Sequence, residues 1–233
     1  MHSARTLAIM DIMNKWVNEL ANSIVPPESM ITHQPLLSIH SPSQVGVCLI
    51  YPDHVTLPTL LSYPLNKIAK RVPVLLFTET ELKSTTDCYP IELLEMARTE
   101  TILIGKSIRP LITVDPSALR LEIEANCRRN LILLRQQAWH NPFALAKILR
   151  ASLGQLLQTL KYVPALMSTN IDPIENADLD HIADILKIDG DKLDSLALTI
   201  MKPHAPSTWR QIAEDYLNLV THIVSKIDSF QTP

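Results

Sequence analysis

Glycine is nearly absent from this chain: its 233 residues include four, Gly46, Gly105, Gly154 and Gly190. The closest two, Gly154 and Gly190, are 36 residues apart, whereas loops that cradle phosphate need glycines within about 3 to 6 positions of one another. Rossmann and P-loop sites are thereby excluded. Aromatic residues are few, with three Phe, five Tyr and three Trp, so the chain offers no platform for stacking single-stranded bases. Neither sign of charge dominates. The 21 Lys+Arg against 24 Asp+Glu leave a formal charge of −3, too weak a field to recruit a polyanion by counterion release, and nucleic acid is not an expected partner. The three cysteines, Cys48, Cys88 and Cys127, each stand alone within or beside an apolar run, which predicts reduced thiols packed as small hydrophobes rather than a disulfide framework. No stretch approaches the roughly 18 uncharged apolar residues of a membrane span, and the opening MHSARTLAIMDIMNKW has no long apolar segment ending in a small-residue cleavage site. A cytoplasmic protein without a membrane partner is expected.

What the chain does have is apolar mass and proline. At 46% hydrophobic residues it can bury a sizeable core without covalent staples, and 17 prolines fix many short connections. Residues 4–24 carry Leu7, Met10, Met13, Trp16, Val17, Leu20 and Ile24 at helical spacing up to Pro26-Pro27, which predicts an amphipathic helix. Three short extended segments follow, Pro35–Ile39, Val45–Tyr51 and Val72–Phe77, whose continuous apolar character suits a sheet covered on at least one face. Leu57–Lys70 has room for a helix kinked or shortened by Pro64, making the second and third segments a β-α-β unit. Thr78-Glu79-Thr80-Glu81 reads as a helix start with acid in its first turn. Tyr89–Met96 is strand or helix, undecided by pattern, and Thr101–Ile104 is an apolar run ending at Gly105.

From Pro116 the texture changes. Long helices are predicted over 117–138 and 141–163, the second opened by Asn141 as N-cap with Pro142 at the first helical position. Three more are predicted over Asp178–Leu186, Asp191–Met201 and Ser207–Phe230. The last presents Trp209, Ile212, Tyr216, Leu219, Val220, Ile223 and Ile227 on one face. The expected architecture is α+β: a small mixed-sheet α/β domain over 1–115, followed by an all-helical bundle over 116–233.

The run Val74–Leu94 (VLLFTETELKSTTDCYPIELL), then Leu103-Ile104-Gly105, then Leu119–Glu124 (LRLEIE), resembles a family of bacterial nucleotidyltransferase-like proteins. That family has a catalytic domain of the kanamycin-nucleotidyltransferase type, within the polymerase-β superfamily, followed by a helical bundle. The order of parts agrees over nearly the whole chain. The resemblance implies a Gly-Ser pair at the end of a first strand, two carboxylates one residue apart on a second strand to hold magnesium, and a third carboxylate on a later strand as base. Two hard anions side by side are what position a divalent cation against a triphosphate. By position the first strand would be Leu36–Ile39, with His40-Ser41 in place of Gly-Ser, and the carboxylate positions would be occupied by Gln44 and Gly46. Glu92 would stand where the third carboxylate belongs. Gln is neutral and Gly has no side chain, so the resemblance implies a degenerate site.

Other candidate chemistry has plainer readings. Asp53 with Glu79 or Glu81, and Asp87 with Glu92, are the remaining acid pairs, none spaced one residue apart on an apolar strand. His33, His40 and His54 lack the spacing of a metal site and read as surface or internally satisfied histidines. Cys88 lies beside Asp87, which raises a thiol's pKa, and is expected to be packed rather than nucleophilic. Arg120, Arg128, Arg129 and Arg135, with Glu122 and Glu124, read as a solvated helix face whose functional version is a basic rim on a cleft between the two halves. Lys106 and Arg109 carry the same ambiguity.

Three functions therefore stand as expectations. The first is a catalytically inactive nucleotidyltransferase-fold protein, a pseudoenzyme without metal or cofactor, that binds a partner protein or a small ligand, with Lys106, Arg109, Arg120 and Arg128 as cleft-binding candidates. The second is an active nucleotidyltransferase using Mg2+ and ATP on a small hydroxyl-bearing acceptor. The third is a structural or assembly protein forming a homo-oligomer.

Overall fold

The computed structural model describes residues 18, 27–33, 46–56, 58, 73–167, 178–205 and 207–230. The chain divides into two compact units, Met1–Thr113 and Val114–Pro233. The expected helix over 4–24, the segment Pro35–Ile39 and the helix over Leu57–Lys70 lie outside the described residues, apart from Asn18 and Pro58, which are both helical.

In the first unit a four-stranded mixed sheet has the order β3-β2-β1-β4, built from β1 (Ser29–His33), β2 (Gly46–Tyr51), β3 (Val74–Thr78) and β4 (Thr101–Ile104). All six residues of β2 are buried. A strand buried on both faces needs no polar alternation, hence its unbroken GVCLIY. β2 pairs parallel with β3, Val47 opposite Val74 and Tyr51 opposite Thr78. A parallel pair cannot be closed by a hairpin, and the residues between Tyr51 and Val74 are long enough for the crossover it requires. β1 runs antiparallel to both β2 and β4.

β1 is the strand the sequence did not disclose. Its Met30 and Ile31 are fully buried, but five residues that follow Pro27-Glu28 and end at His33 carry too little pattern to stand out.

Among the described residues the first unit also has the helices α1 (Glu79–Ser84) and α2 (Pro90–Thr99). The expected start at Thr78 is a full capping box. Glu81 donates its N–H to Thr78 Oγ1 at 3.1 Å, and Thr78 donates its N–H to Glu81 Oε2 at 2.8 Å, so two otherwise orphaned donors are met. The undecided segment Tyr89–Met96 is helical, with Pro90 in its first turn, and it buries Ile91, Leu93, Leu94, Met96 and Ala97.

The second unit is helical: α3 (Pro116–His140), α4 (Leu145–Leu160), α5 (Leu179–Leu186), α6 (Gly190–Met201) and α7 (Thr208–Asp228). Asp115, Asp178 and Asp189 cap α3, α5 and α6 through hydrogen bonds from Ser117, His181 and Lys192 N–H. The second long helix starts later than its Asn-Pro signal predicts. Pro142–Ala144 form a 3-10 turn, Ala144 N–H reaches the Asn141 carbonyl at 3.0 Å, and the Asn141 side chain makes no capping bond. Asn141 instead closes α3, its own N–H bonding the Gln137 carbonyl. Every residue of the expected α7 stripe is buried, together with Val224; each such aliphatic side chain is worth about 1.5–3 kcal/mol when fully buried. Among the described residues no helix is long and apolar enough to cross a membrane.

Candidate functional site

Of the degenerate motif positions, His40, Ser41 and Gln44 lie outside the described residues, and Gly46 opens β2 opposite His33 of β1. From Gly46 the strand continues Val47, Cys48, Leu49, Ile50 and Tyr51, all buried. Its described length therefore offers backbone and apolar side chains and no carboxylate. Burial pushes the Cys48 thiol up to about 12, so it remains protonated and inert.

Glu92 is not on a strand. It lies in the first turn of α2, where a carboxylate complements the helix N-terminus, and the expected equivalence with a base on a later sheet strand fails. The tetrapeptide Tyr89-Pro90-Ile91-Glu92 explains why: proline at the first helical position and an acid in the first turn are helix-start chemistry.

Acids do gather where β2 and β3 end. The Asp53 carboxylate accepts from Thr80 Oγ1 at 2.6 Å and from Thr80 N–H at 3.3 Å. Hydrogen bonds from the Thr80 and Thr78 side chains, with the Thr80 N–H, hold it below the usual carboxylate range. Nearby Glu81 is consumed by the capping box and Glu79 pairs with Lys83 at 2.5 Å. Each acid is matched to a donor of its own, and among the described residues no group of three or more His, Cys, Asp or Glu could hold a metal ion.

The basic candidates are likewise occupied, in a recurring way. Arg109 donates Nε–H to the Ala97 carbonyl at 2.8 Å and Nη2–H to the Arg98 carbonyl at 3.3 Å, closing the C-terminus of α2. It also lies 3.6 Å from Glu100, whose carboxylate accepts from the Ser107 hydroxyl and the Ile108 N–H. Arg120 donates Nη1–H to the Ile227 and Asp228 carbonyls at 3.3 and 3.2 Å, closing α7, and to Glu124 at 3.1 Å. Arg128 bonds Glu124 at 2.6 Å and lies 3.5 Å from Asp228. Arg150, which the sequence did not single out, closes α6 through the Ile200 and Lys202 carbonyls, both at 3.1 Å, and lies over the Trp209 ring at 5.4 Å. Helix C-termini leave carbonyls unpaired and carry partial negative charge, so a guanidinium meets both needs. Lys106 contributes backbone: its N–H and carbonyl both bond Ser29 Oγ at 3.0 Å.

Cys88 is exposed, not packed. It lies in the turn between α1 and α2, and a side-chain hydrogen bond with Asp87, reinforced by that carboxylate's charge, pushes its thiol up. Cys127, by contrast, is buried and pushed up to about 12 by desolvation and by Glu124.

The second unit has a shallow depression of about 310 Å³ lined by Asp189, Lys192, Asn218, Leu219 and His222. It draws on two helices, α6 with its cap and α7, so no sequence spacing announces it. Asp189 is already engaged in capping α6 at the Lys192 N–H. No family model, curated protein or solved structure matches the chain.

Proposed function

We propose that this protein is a nucleotidyltransferase-like chain that has lost the transfer reaction and acts by binding a partner protein or a small ligand. The observation that carries this reading is the start of β2, where the resemblance requires a carboxylate and the chain has Gly46, followed by buried apolar residues. Metal-dependent phosphoryl chemistry works by placing a cation between fixed anions and the triphosphate. Without those anions the protein holds no cation to offset the triphosphate's charge. Rescue by other acids is disfavoured, since Asp53, Glu79, Glu81 and Glu100 already answer to hydrogen-bond donors or cations of the first unit. Recruitment of Arg109 or Arg120 to phosphate would strip a helix terminus of its cap.

The test is calorimetric titration of the purified protein with ATP, with and without magnesium, beside an assay for nucleotidyl transfer to small hydroxyl-bearing acceptors. No magnesium-dependent binding and no transfer are expected. Magnesium-dependent ATP binding in the micromolar range, or labelled nucleotide appearing on any acceptor, would overturn the proposal.

A further inference from the structure

We draw no further inference here: the strongest candidate, the outward apolar face of α3 that carries Leu121, Ile132 and Trp139, at 57%, 52% and 85% exposure, carries nothing because nothing in the structure shows what covers it.

Discussion

Gly105 and Glu28 approach so closely that a Cβ placed on Gly105 would lie 1.9 Å from the Glu28 carbonyl oxygen. Gly105 ends β4 with φ at +79°, a left-handed conformation that side chains strain to adopt. The next residue is tied to β1 through the paired Ser29 Oγ bonds. Gly105→Ala therefore meets two penalties at once, about 1 kcal/mol or more for the backbone and a larger one for parting β1 from β4. A loss of roughly 3 kcal/mol or more in urea unfolding is expected. A loss below about 1 kcal/mol would show that the two strands part freely.

Arg109 and Arg120 make opposing forecasts depending on whether they serve a ligand or the fold. A ligand-gathering arginine held without its ligand destabilises the chain, and its removal is neutral or stabilising. A helix-closing arginine contributes to stability. Arg120 has a side chain only 20% exposed and bonds two terminal carbonyls of α7, so Arg120→Ala is expected to cost about 1–2 kcal/mol and to speed amide exchange in the last turn of α7. Arg109, at 46% exposure, is expected to cost less than about 1 kcal/mol. Equal or increased stability in Arg120→Ala, by denaturant melts, would return that residue to the list of ligand candidates.

The elements that could be read from sequence are those whose pattern is local. The capping box at Thr78 and Glu81 is complete within four residues, and the α7 stripe from Trp209 to Ile227 repeats one face over five turns. Parallel pairing of β2 with β3 followed from two apolar runs with helix-length chain between them. β1 was missed because Ser29–His33 gains its strand character from neighbours on both sides. The helix at Pro90 stayed ambiguous because Tyr89–Met96 is apolar enough for either structure, and only proline at its start and burial of Ile91, Leu94 and Met96 decide it. The arginine caps were illegible for a different reason. Arg120 and Ile227 are 107 positions apart in the chain, and no spacing rule connects a cation to a carbonyl at that range.

Within the second unit, Asn130, Ser152 and Tyr216 form a buried polar triad linking α3, α4 and α7. Asn130 donates to the Ser152 carbonyl at 2.8 Å, its amide oxygen accepts from Ser152 Oγ at 2.5 Å, and that hydroxyl lies 3.1 Å from the Tyr216 hydroxyl. Removing one member strands the others in apolar surroundings. Asn130→Ala is expected to cost about 2–3 kcal/mol, Tyr216→Phe about 1 kcal/mol, and the pair less than their sum. Strict additivity in a double-mutant cycle would mean that Asn130 and Tyr216 do not communicate through Ser152.

Cys88 and Asp87 set the last expectation, which concerns reactivity. Of three thiols only Cys88 is exposed, so a disulfide reagent at pH 8 should titrate one equivalent in the native state and the other two only on unfolding. Because the Asp87 carboxylate stabilises the protonated thiol, less thiolate is present at pH 8 than in an unhindered cysteine. The native rate should accordingly lag a model thiol and climb as pH rises. Asp87→Asn removes both the acceptor charge and its field, lowers the thiol pKa and should accelerate labelling severalfold at pH 8. The difference should vanish at a pH high enough to ionise both proteins. A variant that reacts more slowly than wild type at pH 8 would mean that access, not thiolate fraction, governs Cys88, and the electrostatic account of this turn would fall with it.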